Sequence, residues 1–179
     1  CCSPLYHTAV LNFCTYSLHM GHSVVILGKW DAEEMLRLSD KYKVTHSHMV
    51  PTQFHRLLTL SDEVRRKYTL TSFKQMIHGA APCPNETKRK MLDWWGPVVY
   101  EYYAASEGGG TLITPQQWLE KPGSVGKPWP ISQIKVVSDE NTECKPEEVG
   151  TVFIKMGDHA FEYHGDKDKT DKAWLNGFF

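Results

Sequence analysis

The sequence has no apolar run of the roughly 18 residues that a membrane-spanning helix needs. It also has no basic block: 20 lysines and arginines are spread along 179 residues against 21 aspartates and glutamates, which argues against a nucleic-acid-binding surface as the main function. Its five cysteines include no C-x-x-C pair, a usage that fits a reducing compartment. Together with 41% hydrophobic residues, these absences predict a globular, cytoplasmic protein.

Several short functional signatures are absent as well. Residues 123–127 contain Gly-Lys without the spacing of a phosphate-binding P-loop, and no G-x-S-x-G elbow supports a hydrolase. Residues 166–170 begin like a calcium loop, but the later glycine and glutamate of such a loop are missing. His46 and His48 share one face of a predicted strand, yet no third ligand lies nearby in sequence, so a metal site there is disfavoured.

The two ends of the sequence lack the polar lead-in and tail that domains usually have. Cys1 and Cys2 open the chain without an initiator methionine, and Phe178 and Phe179 close it just after a turn signal. We therefore expect the sequence to be an excerpt of a longer polypeptide.

Short β-branched or apolar runs alternate with helical patterns over the first two thirds of the chain. Asp31 is placed as a helix N-cap, with Glu34 three residues later as in a capping box, and Gly21 is placed to end the first helix. Such alternation predicts βαβ units and a parallel sheet. Strands are expected at residues 23–27, 44–49, 76–78 and 98–102, and helices at 11–21, from 31, from 51 and from 84 or 85 to 95.

The pattern changes after about residue 114, where prolines and glycines form a loop-rich connection. Two β runs follow, at residues 134–137 and 151–155, with a polar, acidic turn between them. The predicted fold class is therefore α/β: a parallel-sheet βαβ subdomain over residues 1–115, followed by part of a β-rich, distorted-barrel subdomain over residues 116–179.

The richest chemistry lies in residues 100–110, YEYYAASEGGG. Tyrosine faces can stack on a base, Ser106 and Glu107 could hold a phosphate oxygen and Mg²⁺, and glycines let backbone N–H groups approach anionic oxygens. A second small-residue turn, 79–82, also follows a predicted strand. Because ligands bind beyond the carboxyl ends of parallel strands, the two turns are expected to share a crevice. On residues 100–110 alone, a strand ending in a glycine-rich turn with core tyrosines explains the pattern equally well.

Five short motifs occur in the order found in adenylate-forming enzymes, and the sequence most closely resembles their fatty-acyl-CoA synthetase branch. The resemblance covers essentially the whole chain. The motifs are SPLYHT at residues 3–8, GAAP at 79–82, YAASEG at 103–108, PGSVGKP at 122–128, and YHGD at 163–166 with Thr170 and the final GFF.

This resemblance implies a reaction in which a carboxylate is joined to AMP with release of pyrophosphate, after which the acyl group passes to coenzyme A. ATP, Mg²⁺ and coenzyme A are the implied cofactors and co-substrates, and a fatty or related hydrophobic acid is the implied substrate. Peripheral membrane contact through a lipid substrate is compatible with this reaction. No nucleic-acid partner is implied, and the oligomeric state is left open.

The resemblance also implies roles for residues at matching positions. The turn 79–82 would lie beside the adenine and the acyl carboxylate, and its members are Gly79, Ala80, Ala81 and Pro82. Glu101, Tyr102 and Tyr103 would lie along the adenine, with Tyr103 as the stacking ring.

The implied catalytic residues are His7, Ser106 and Glu107. His7 would border the acyl pocket, Ser106 would contact a phosphate where the family more often has threonine, and Glu107 would coordinate Mg²⁺. A lone histidine in this setting is otherwise more often structural. Ala104 stands in the nucleotide-binding stretch where the family commonly has glycine, and its methyl group restricts the backbone. Residues 50–52 resemble a pocket-lining turn, although a plain helix start explains them equally well.

The family's phosphate loop, ribose-binding aspartate and C-terminal lid domain with its lysine are not found in these 179 residues. We therefore expect this stretch alone not to complete adenylation. Alternatives within the superfamily are an aryl-CoA ligase, a peptide-synthetase adenylation domain and a luciferase-like oxygenase. From a different class, a catalytically dead nucleotide-binding or interaction module remains open.

Overall fold

The structure is a computed structural model that describes residues 1–158 and 160–179. Its helices are α1 (Thr8–His19), α2 (Ala32–Tyr42), α3 (Pro51–Leu58), α4 (Asp62–Arg66), α5 (Asn85–Trp95), α6 (Pro115–Glu120) and α7 (Lys167–Ala173). Its strands are β1 (His46–Met49), β2 (Gln75–His78), β3 (Val99–Ala104), β4 (Gly110–Ile113), β5 (Lys127–Pro128), β6 (Ser132–Val137) and β7 (Thr151–Met156). Among the described residues, no helix is both long enough and apolar enough to cross a membrane.

The chain forms two compact units. The first contains Cys1–Tyr102 and Ile113–Gly126, and the second contains Tyr103–Leu112 and Lys127–Phe179. The chain passes from the first unit to the second within β3, so that Tyr102 ends one part and Tyr103 begins the next.

The sheet confirms the predicted α/β class. β1, β2 and β3 run parallel, and their register pairs Met49 with His78 and His78 with Glu101. β4 runs antiparallel to β5, which makes the five-stranded sheet mixed, in the order β1-β2-β3-β4-β5. The carboxyl ends of β2 and β3 are therefore neighbours, with the 79–82 turn following the first of them.

The core of the first unit lies between this sheet and the helices around it. Phe54 of α3 is fully buried and meets both His78 and Trp95 edge-on, at centroid distances of 5.1 and 5.9 Å. Burying one such side chain contributes about 1.5–3 kcal/mol. Other members of the core are Met35, Leu36, Met49, Leu57, Met76, Met91 and Val99.

The helix boundaries follow local capping chemistry. Asp31 caps α2 as predicted, because its Oδ1 accepts the N–H of Glu34 at 2.9 Å. The reciprocal half of the predicted capping box is absent, because the Glu34 carboxylate is paired with Arg37. Gly21 follows the end of α1 with φ +79° and donates to the carbonyl of Leu18, as expected of a glycine that ends a helix.

The strand predicted at residues 23–27 is wrong. This segment belongs to no strand, and Ile26 is 58% exposed. Its hydrogen bonds are two isolated ones to Cys1, made by the carbonyl of Val25 at 2.5 Å and the N–H of Leu27 at 3.3 Å. β-Branched residues favour a strand only where a neighbouring strand gives them a surface to pack on, and here no ladder forms.

In the second unit, β6 and β7 pair antiparallel along their full length, from Ser132 opposite Met156 to Val137 opposite Thr151. This confirms the antiparallel β structure predicted for the last third of the chain. Aromatic rings pack together after β7, with Phe161 contacting Trp174 and Phe179 at centroid distances of 5.0 Å.

Candidate active site

The 79–82 turn connects β2 to α5. Gly79 is buried, whereas Ala80, Ala81 and Pro82 are exposed, so the turn presents small side chains and backbone to solvent. A Cβ atom at Gly79 would lie 2.6 Å from Cζ of Tyr102, so any larger residue would require that ring to shift. Ala80 has φ +65°, a left-handed conformation that costs a residue with a Cβ about 1–2 kcal/mol.

Tyr102 is fixed by a contact that the sequence did not predict. Its hydroxyl and Nε2 of His48 are joined by a hydrogen bond of 2.8 Å, and Phe13 stacks on the imidazole at 5.1 Å. Burial lowers the pKa of His48 to about 4, with a smaller contribution from the nearby His7. Burial also raises the pKa of Tyr102. Both rings are therefore uncharged near neutral pH, and together they hold Tyr102 against Gly79.

Glu101 lies in a buried ionic cluster. Lys88 is fully buried on α5, and its Nζ donates to Oε2 of Glu101 at 2.6 Å. Nε2 of His78 lies 3.5 Å from the same oxygen. Burial lowers the pKa of His78 to about 3, and the Lys88 ammonium contributes to that lowering, so the imidazole is neutral and this contact is not an ion pair. The Glu101 carboxylate is thus engaged by Lys88.

His7 is the N-cap of α1. Its Nδ1 accepts the N–H of Ala9 at 3.3 Å, and its side chain is exposed. The acyl-pocket role of His7 stays a prediction. The observed cap accounts for one ring nitrogen and leaves Nε2 available to another group.

In the second unit, Tyr103 lies at the end of β3, and an open turn follows at residues 105–109. The Tyr103 side chain is 45% exposed and Ser106 is exposed, so a ring and a hydroxyl are both accessible. The turn is closed by glycine backbone donors. Gly109 N–H donates to Sδ of Met156 at 3.1 Å, and Gly110 N–H donates to Oγ of Ser132 at 3.3 Å.

Glu107 is half-buried within this turn. Its Oε1 accepts a hydrogen bond of 2.7 Å from the hydroxyl of Tyr163, and this bond to Glu107 is the main reason why the pKa of Tyr163 is raised. Oε2 makes no other hydrogen bond with the described residues. A carboxylate held through one oxygen suits Mg²⁺, which takes one or two protein carboxylates and completes its shell with phosphate and water.

The structure therefore divides the predicted site residues between the two units. Gly79, Glu101 and Tyr102 are brought together in the first unit. In the second, Tyr103 and Ala104 end β3, and Ser106 and Glu107 lie on the turn that follows it. Sequence reasoning missed the supporting side chains of His48, Lys88 and Tyr163. For Tyr163 a signal existed, because this tyrosine opens the YHGD motif that carries part of the family resemblance.

The part of the chain that the structure describes contains no group of three histidine, cysteine, aspartate or glutamate side chains placed to hold a metal. His46 instead stacks on His22, at a centroid distance of 6.4 Å.

Comparison with known proteins shows similarity to one enzyme family over most of the chain. A family model described as AMP-binding enzyme matches residues 1–163. The chain is 34% identical over 158 residues to a long-chain-fatty-acid–CoA ligase of Bacillus subtilis strain 168, covering 85% of the chain and 27% of that relative. It is 32% identical over 182 residues to a 2-succinylbenzoate–CoA ligase of Bacillus licheniformis, covering 96% of the chain and 36% of that relative.

The fold matches that of solved synthetases. The o-succinylbenzoate coenzyme A synthetase of Bacillus subtilis, solved in complex with ATP and magnesium ion, superposes with a TM-score of 0.86 over 99% of this chain and 36% of that one, at 23% identity. The chain thus spans about a third of the length of the proteins it matches. Because the family model matches most of the sequence and the curated relatives are CoA ligases, the chain belongs to the AMP-binding enzyme family.

Proposed function

We propose that the whole protein is an AMP-forming acyl-CoA ligase that activates a fatty or related hydrophobic carboxylic acid with ATP, Mg²⁺ and coenzyme A. The observation that carries the proposal is the Ser106–Glu107 turn, where Tyr163 holds one carboxylate oxygen and an exposed hydroxyl stands next to it in sequence. The 34% identity to a long-chain-fatty-acid–CoA ligase supports the choice of substrate class.

The physical problem in such a reaction is that an anionic carboxylate must approach an anionic triphosphate. Mg²⁺ would neutralise phosphate charge and stabilise the charge that develops in the transition state. We propose that Glu107 positions this ion, that the Ser106 hydroxyl donates to a phosphate oxygen, and that the exposed ring of Tyr103 stacks on the adenine. The missing side chain at Gly79 and the small ones at Ala80 and Ala81 would let a nucleotide and an acyl carboxylate approach the backbone closely.

The remaining assignments belong to the same proposal. His7 would border the reacting carboxylate through the ring nitrogen that is not used in capping α1. Glu101, Tyr102 and Ala104 would shape the adenine side of the site. A cytoplasmic location is supported by the five cysteines, all of which are free thiols, as in proteins of a reducing compartment.

The test is carboxylate-dependent ATP–pyrophosphate exchange by the whole protein, followed by thioester formation with coenzyme A. Exchange that requires palmitate or another fatty acid, and thioester product on adding coenzyme A, would support the proposal. Exchange without thioester formation would indicate a different adenylating enzyme. ATP binding without exchange for any acid would replace the proposal with a nucleotide-binding module.

An aromatic acid is the second candidate substrate. It is favoured by the 32% identity to a 2-succinylbenzoate–CoA ligase, which extends over 96% of the chain. The same exchange assay run with fatty, 2-succinylbenzoic and hydroxycinnamic acids in parallel separates the two classes by kcat/KM.

We also propose that the 179 residues alone do not catalyse exchange. The family's phosphate loop and catalytic lysine are not found in them. Detectable exchange by the isolated stretch, compared with the whole protein under the same conditions, would contradict this.

A further inference from the structure

The proposed chemistry does not account for the buried contacts among Lys88, Glu101 and His78. Lys88 and Glu101 are joined at 2.6 Å, at 0% and 10% side-chain exposure. A buried ion pair is costly to desolvate and is seldom favoured over apolar packing for stability alone. Its presence here therefore needs a reason other than stability.

The position of the pair in the chain supplies that reason. Lys88 lies near the start of α5, which follows the 79–82 turn, and Glu101 lies in β3 immediately before Tyr102. His78, which ends β2 and precedes Gly79, is the register partner of Glu101. The ion pair thus ties together two segments that the proposed function places on the nucleotide.

Lys88 balances the charge of the Glu101 carboxylate, because the titratable groups of His78 and Cys83 beside it are neutral. His78 is neutral, as its pKa of about 3 requires. The pKa of Cys83 is raised to about 11, first by burial and then by Glu101, so its thiol is neutral too. The Lys88 ammonium also lies 4.9 Å from the ring centroid of Trp118, which is buried. Burial lowers the pKa of Lys88, and the bond to Glu101 opposes that change.

We propose that Lys88 and Glu101 are positioning residues whose ion pair sets the spacing between the 79–82 turn and the 101–102 segment, and thereby the affinity for ATP. Neither side chain touches the nucleotide. This inference rests on the proposed function and refines it, since the resemblance alone places Glu101 along the adenine.

The experiment uses the whole protein with three variants: Glu101→Gln, Lys88→Met and the double variant Lys88→Glu/Glu101→Lys, which exchanges the two charges. KM for ATP and kcat are measured in the exchange assay. Each single change leaves one buried group without its counter-charge and is expected to raise KM for ATP about tenfold, with kcat changed less than about threefold. The double variant restores an ion pair with its charges exchanged and is expected to return KM for ATP to within about threefold of the wild-type value.

Lys90→Met is the matched control, because Lys90 lies on the same helix and pairs with Glu86 at 2.7 Å in an exposed position. It is expected to leave both kinetic constants unchanged. If Lys88→Met does not fold, Glu101→Gln and the double variant still decide the question.

A double variant that keeps the full loss of ATP affinity would show that Glu101 contacts the nucleotide directly, and would overturn the proposal. Single variants with wild-type KM would overturn it as well. A wild-type protein that neither binds ATP nor exchanges pyrophosphate would instead refute the proposed function, an outcome that is visible before any variant is made.

Discussion

The hydroxyl of Tyr163 donates a 2.7 Å hydrogen bond to Oε1 of Glu107 across 56 positions of sequence. Tyr163 is itself held in place, because its backbone N–H donates to Oγ1 of Thr170 at 2.8 Å and the Lys169 ammonium lies 4.1 Å from its ring centroid. The YHGD segment therefore orients the carboxylate proposed to bind Mg²⁺, and a direct test follows from it.

Tyr163→Phe removes the hydroxyl and keeps the ring. Because the carboxylate then loses the hydrogen bond that orients it, we expect the KM for Mg²⁺ in the exchange assay to rise about tenfold. Tyr68→Phe is the control, since Tyr68 donates to Oε1 of Glu33 at 2.8 Å in a segment without a predicted site residue. Equal Mg²⁺ dependence in Tyr163→Phe and wild type would remove Tyr163 from the site.

Glu107→Gln keeps the shape of the side chain and removes its charge. We expect exchange to fall about a hundredfold, as for loss of a group that stabilises transition-state charge, with the free energy of unfolding changed by less than about 1 kcal/mol. Glu33→Gln is the matched control, because Glu33 also accepts from a tyrosine. Wild-type exchange by Glu107→Gln would exclude the metal role.

Gly79→Ala places a methyl group within the space of the Tyr102 ring. We expect destabilisation of about 1–3 kcal/mol in urea unfolding and weaker ATP binding, because the ring must move away from His48. Gly28→Ala is the control, since a Cβ atom at that position would have no neighbour within 4 Å among the described residues. In a Tyr102→Ala background, Gly79→Ala should lower the free energy of unfolding much less than it does in the wild type. An equal loss in both backgrounds would show that the Tyr102 ring is not the source of the strain.

Two buried histidines make stability depend on pH. The pKa values of His48 and His78 are about 4 and about 3 in the folded protein, against about 6.5 when unfolded. Below pH 6.5 the unfolded chain binds protons that the folded chain does not, so stability falls as the pH drops toward 4. Well inside that window each histidine contributes a slope of about 1.4 kcal/mol per pH unit.

His78→Leu should therefore reduce the slope of unfolding free energy between pH 5.5 and pH 4.5 by about 1.4 kcal/mol per unit relative to wild type. His19→Gln, at an exposed position, controls for loss of a histidine as such. Urea unfolding at several pH values gives the measurement, and parallel slopes for wild type and His78→Leu would contradict the assignment.

Local chemistry makes much of the first unit predictable. The cap of Asp31, the helix from Asn85 to Trp95 and the strand leading to Gly79 each depend on residues within a few positions, and all are present in the structure. The helix Pro115–Glu120 is not predicted, because the prolines of this region favour a loop. In the structure Pro115 occupies the first turn of the helix, where its missing N–H costs nothing, and Thr114 caps the helix.

What could not be predicted depends on distant contacts. Residues 23–27 have the β-branched composition of a strand but pair with no neighbouring strand. Composition does not reveal whether such a partner strand is present. The bonds from Lys88 to Glu101 and from Tyr163 to Glu107 join residues 13 and 56 positions apart. From the sequence alone, each of these lysine and tyrosine side chains has many possible carboxylate partners. The register of β2 and β3 selects the partner of Lys88, and the path of the chain after β7 selects the partner of Tyr163.

The contact between Gly79 and Tyr102 also constrains how the sequence can evolve. A larger side chain at position 79 requires the ring at position 102 to shift or to be replaced, so the two positions are not independent. Among sequences that keep this fold, substitutions at the two positions should therefore be correlated.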